Sequence, residues 1–151
     1  MTLAKRHVIR LIYVLVGLVV VTPLSVKGQT AQIQVITHAS VTLDELSPSQ
    51  VRRIFSMRQT YWPDRQKIVV YVLNNEHGIH HLFSREVLSI FPYQLERTWN
   101  KLVYSGLGHK PITVRDEQEM LDKIRRQPGA IGYVRYPMSG EGLKSIAVTK
   151  E

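Results

Sequence analysis

Three imidazoles stand close together in the chain, His77, His80 and His81. On a helix, His77 and His81 lie one turn apart on one face, the spacing that chelates a divalent metal. Glu76 and Glu86 are within reach along the chain, yet the sequence holds no Cys and no paired carboxylate to complete a site. Two imidazoles alone rarely hold a metal tightly. The cluster therefore reads as a helix start facing solvent or a partner, and no metal or cofactor is expected. At acidic pH it would gain positive charge and favour an anion.

Other constellations have plainer explanations. Trp62, Trp99, Tyr61, Tyr71, Tyr93 and Tyr104 could line a carbohydrate or peptide platform, but their strand and helix spacing suits core and turn packing. Arg52, Arg53 and Arg58 make a basic patch that is either a solvated face or a contact for an acidic partner. Ser105-Gly-Leu-Gly108 lacks the Gly-Lys-Ser/Thr ending of a nucleotide loop and reads as a turn. No serine sits in an elbow motif, and neither H-E-x-x-H nor a convincing carboxylate pair occurs. An enzyme is not expected.

The elements that must position these residues alternate in type. Ile33–Ile36 reads as a strand. Ser47 caps a helix with Pro48 in its first turn, and Val51, Ile54 and Phe55 form its apolar face. Tyr61-Trp-Pro-Asp64 is a turn. Lys67–Leu73 is the clearest strand, apolar enough for burial on both faces. Asn74-Asn75-Glu76 is placed to cap a helix carrying Ile79, Leu82, Phe83, Val87 and Leu88 at helical spacing. Pro92 opens another through Leu95, Trp99, Leu102 and Val103, stopped by Gly106 and Gly108. A last helix spans 116–126, acidic at its start and basic at its end, before Gln127-Pro-Gly129. Strands at 130–134 and 145–148 follow. The pattern predicts an α/β layered domain.

The chain has 151 residues and a formal charge of +8, which first suggests nucleic acid or an anionic membrane. The beginning of the chain weakens that reading. Lys5, Arg6 and Arg10 precede the uncharged apolar run Leu11–Val21, and Val26-Lys27-Gly28 offers a cleavage site. Residues 1–28 thus read as an export signal, or as an anchor if uncleaved, with the domain at 29–151. Residues 29–151 hold 16 basic against 12 acidic residues, an ordinary balance. With export, nucleic acid drops out, membrane contact is confined to an uncleaved leader, and a periplasmic location is expected.

Several stretches, taken together, resemble the periplasmic phosphate-binding proteins of ABC importers. They are Leu46-Ser-Pro-Ser-Gln-Val-Arg-Arg-Ile-Phe55, Tyr61-Trp-Pro-Asp64, the strand 67–73, Gly78 with Phe83, and Pro128-Gly-Ala-Ile-Gly-Tyr-Val134. The resemblance implies one lobe of a type II periplasmic-binding-protein fold, a central sheet flanked by helices. It implies a small-anion site, phosphate by family, in the loop after the strand: Asn75, His77, Gly78, Ile79 and His80. Of the family's loop residues only Gly78 is kept; Leu73 replaces its Arg, Asn75 its Asp, His77 its Ser, and Ile79 and His80 its threonines. Arg65 stands where the family has Gly. The family's second lobe is missing, so a homodimer or a partner protein would supply the other wall. Two functions stay open: oxyanion binding linked to phosphate ABC transport, or a ligand-free adaptor in an envelope assembly.

Overall fold

Local signals set the first helix. Ser47 is extended, its hydroxyl accepts the Gln50 N–H (3.2 Å), and the Gln50 side-chain oxygen accepts the Ser47 N–H (2.9 Å). This reciprocal cap satisfies two donors that a helix start leaves unpaired. In the computed structural model, which describes residues 32–135 and 140–149, it opens α1 (Pro48–Phe55), whose Val51, Ile54 and Phe55 are buried as expected. The expected export signal, 1–28, lies outside the described residues. Among the described residues no helix is long and apolar enough to cross a membrane.

Six strands form one mixed sheet: β1 (Gln34–His38), β2 (Glu45–Leu46), β3 (Val69–Leu73), β4 (Ile112–Val114), β5 (Ala130–Val134) and β6 (Leu143–Val148). Their order is β2-β6-β1-β5-β3-β4. β1 runs antiparallel between β6 and β5, with Val35 opposite Ile146 and Tyr133. β3 lies parallel to both β5 and β4. β5 is buried along its whole length, because it is central and covered on both faces.

The helices divide between those faces. Successive strand residues point opposite ways. A side chain at Gly132 would meet Met120 and Ile124 of α4 (Glu117–Arg126), at 2.7 and 2.8 Å. Tyr133, its neighbour, meets Phe55 of α1 and Phe83, which ends α2 (Gly78–Leu82). α4 thus covers one face, and α1 with α2 the other. The chain leaves α2 through a wide π turn, Phe83–Val87, before α3 (Pro92–Tyr104). Trp62 and Trp99 are core residues, as their spacing suggested, and their indole N–H groups donate to Gly129 and Phe55 carbonyls (2.9 and 2.8 Å).

The turn before β3 closes with Arg65 N–H on the Trp62 carbonyl (3.0 Å) and Trp62 N–H on that of Gln66 (2.8 Å). Arg65 has φ +67°, the left-handed conformation that a glycine adopts without strain. Gly129, at φ +76°, precedes β5; a Cβ there would sit 2.3 Å from the Lys67 carbonyl oxygen.

Two strands went unforeseen. β2 and β4 span two and three residues, too short for a periodic signal. Asp116 caps α4 by accepting the Glu119 N–H (2.8 Å), which moves that helix's start one residue past the expected 116.

Candidate functional site

β3 ends at Leu73, and the 74–80 segment carries the chain over the carboxyl end of the parallel strands, where α/β sheets commonly open a crevice. Asn74 organises the turn: its carbonyl accepts the His77 N–H (2.9 Å) and its side-chain oxygen that of Glu76 (3.2 Å). The helix cap is not Asn74, Asn75 or Glu76 as the sequence suggested. It is His77, extended at φ −74°, ψ 128°, whose Nδ1 accepts the Ile79 N–H (3.2 Å). An imidazole nitrogen does here what a Ser or Asn oxygen usually does.

The five expected site residues separate into two groups. Asn75, His77 and Gly78 lie on the outer side of the loop. Gly78 is exposed, and a Cβ there would touch nothing within 4 Å. Ile79 and His80 turn inward and are buried. Ile79 N–H is already taken by His77, whereas the N–H groups of Gly78 and His80 have no partner among the described residues.

His80 belongs to a buried network that chain spacing did not reveal. The Tyr133 hydroxyl accepts the Leu73 N–H (3.0 Å) and lies 2.5 Å from His80 Nδ1. The donor and acceptor roles in the Tyr133–His80 contact follow the His80 tautomer: with Tyr133 donating to Nδ1, the neutral ring carries its proton on Nε2. That Nε2 is buried without a partner. Burial first, then the charges of His81 and His77, pulls the His80 pKa down to about 4. Burial pushes the Tyr133 phenol well above its ordinary value, partly offset by the Leu73 N–H. Both groups are neutral at physiological pH. The expectation of acid-induced charge therefore fails for His80, because its ring has no water to stabilise a cation.

Asn75 donates from Nδ2 to the Glu96 carboxylate (2.9 Å), and its Oδ1 is buried and unpartnered. At the same end of the sheet, Arg135 follows β5 directly. Its N–H donates to Glu117, and its Nε is buried without a partner. Among the described residues no three His, Asp or Glu side chains gather closely enough to hold a metal. The sequence reading missed Tyr133 and Glu96, because each reaches the loop from a distant segment.

The family model for a PBP superfamily domain matches residues 2–148. No curated protein matches in sequence. Solved structures do match in fold. A Clostridium perfringens protein, described as a phosphate ABC transporter substrate-binding protein and solved with bound phosphate, superposes with a TM-score of 0.59 at 18% identity, over 78% of this chain and 44% of that one. An ABC-type phosphate transport receptor from Vibrio cholerae gives 0.59 at 14% identity, over 76% and 44%. A phosphate binding protein from Stenotrophomonas maltophilia gives 0.55 at 16% identity, over 78% and 39%. The chain spans less than half the length of these neighbours, a single-lobe match.

Proposed function

The chain belongs to the PBP superfamily, and from that premise we propose that it binds a small oxyanion of the phosphate class through the 74–80 loop, without catalysing a reaction. One observation carries the reading: polar groups without partners gather around this loop. Among the described residues the N–H groups of Gly78 and His80 show no partner, and His80 Nε2 is buried without one. The buried Nε2 is costly to leave unpaired, the exposed Gly78 N–H is open to a ligand, and an oxyanion accepts from N–H donors. The solved neighbours named for phosphate support the same ligand class. In this reading residues 1–28 export the chain to the periplasm, where it serves phosphate ABC transport and a second copy or a partner forms the other wall.

The site is a weak one. The loop has no Arg, Lys, Ser or Thr, and Glu96 places a carboxylate on Asn75. Those two facts favour a second reading, a lobe that has lost its ligand and acts as an adaptor in an envelope assembly.

Calorimetric titration of the full chain with phosphate at about pH 5.5 and about pH 7.5 separates the two. The oxyanion reading expects saturable heat with Kd near about 1 mM. Gly78→Asp should abolish it, since the carboxylate occupies the approach. His77→Ala should strengthen it a few-fold by releasing the Ile79 N–H. Any gain at the lower pH would not come from His80, which stays neutral until about pH 4. No heat at either pH, with wild type and both variants alike, would sink the oxyanion reading and leave the adaptor.

A further inference from the structure

At the opposite end of β3 from that loop, an open groove of about 640 Å³ crosses the starts of β3 and β4. Its walls come from Tyr61 and Val69 on one side and Leu107 and Ile112 on the other. Three of these are unusually bare: Leu107 is 81% exposed, Tyr61 57% and Ile112 49%. Apolar side chains clustered this openly on a soluble domain mark a contact surface more often than a solvated one. Leu107 stands between Gly106 and Gly108, so nothing beside it in the chain shields it.

Two further features define what would fit. The charged side chains of the groove are Lys67 and Lys110, with His109 beside them; no Asp or Glu lines it. β4 is also an outer strand of the sheet, hydrogen-bonded among the described residues to β3 alone, so its other edge presents backbone donors and acceptors. A concave apolar trough, a cationic rim and an unpaired strand edge together suit an extended chain.

We infer that this groove docks an extended segment of another protein in which acidic residues alternate with apolar ones. The apolar side chains enter between Tyr61 and Ile112, the carboxylates meet Lys67 and Lys110, and the backbone adds to the edge of β4. The inference is independent of oxyanion binding, since none of the groove's residues belongs to the 74–80 loop.

The probe is a fluorescein-labelled peptide of alternating Glu and Leu, titrated with the full chain by anisotropy, against a Lys–Leu peptide of equal length. Expected is saturable binding of the acidic peptide alone, weakened about tenfold by the Lys67→Glu, Lys110→Glu double variant and again by high salt. Both lysines are exposed, so the double variant should keep the wild-type melting curve, which checks that it folds. Ile112→Asp should also weaken the peptide, through the apolar wall. Equal binding of the basic peptide, or indifference to charge reversal, would overturn the inference. So would self-association in sedimentation velocity that the double variant abolishes, or co-sedimentation with phosphatidylglycerol vesicles in place of peptide binding.

Discussion

β5 runs through the middle of the sheet, the 74–80 loop leaves the end of its neighbour β3, and the two obey opposite rules. Every residue of β5 is buried, its backbone is paired to β1 on one side and β3 on the other, and Tyr133 is held by stacking on Phe83 at 3.8 Å. In the loop, Asn74, Glu76 and Gly78 are exposed, and several polar groups lack partners. Packing dictates residues in the first region and leaves them free in the second. Packing of this kind constrains Ala130-Ile-Gly-Tyr-Val134 at every position, whereas the exposed loop residues Asn74, Glu76 and Gly78 are under no such constraint.

The contrast is open to direct attack. Gly129→Ala should do the most damage, because φ +76° and a Cβ 2.3 Å from the Lys67 carbonyl cannot both be kept. A loss of about 4 kcal/mol in denaturant unfolding is expected; a loss below about 1 kcal/mol would mean the start of β5 is not rigidly determined. Acid should come next. An unfolded chain protonates His80 near its ordinary value of 6.5, whereas the folded chain waits until about 4. The stabilisation is thus complete above pH 6.5 and lost as pH falls towards 4, on the order of 3 kcal/mol. His80→Gln should flatten that slope in unfolding curves taken across the window; an unchanged slope would place the titration elsewhere.

Tyr133→Phe should cost about 2 kcal/mol, since it strands the Leu73 N–H and His80 Nδ1 in the core. A thermal melt reads it, and a neutral result would show that both groups find other partners. Gly78→Ala should be smallest. Its Cβ meets nothing within 4 Å, so stability should move by less than about 1 kcal/mol, in the stabilising direction. A large loss there would erase the distinction between the two regions.

Sequence made some of this plain and hid the rest for physical reasons. The Ser47 cap, the apolar face of α1 and the charge gradient of α4 are local, and each appears where its residues stand. β2 and β4 owe their existence to distant partners, so their few residues carry no signal of their own. The histidine cluster misled because its members differ in fate. His77 caps a helix, and His80, three residues before Phe83, falls on the buried face. That spacing was available to be read. The π turn at Phe83–Val87 was not, and it explains why Val87, expected in the core, is only half-buried while Leu88 is fully buried. The loop's polar partners Tyr133 and Glu96 are both reached through tertiary contact.

The strand order carries one more implication, for how the molecule comes into being. β1, near the beginning of the described chain, can pair only with β5 and β6, near its end. Until those last strands exist, Val35 and Ile36 have no neighbours in the sheet, however early the nearby helices form. Folding of such a chain is governed by long-range closure, and it is slow relative to helical proteins of similar size. The two pairings of β1 therefore close the sheet late, after β5 and β6 have been made.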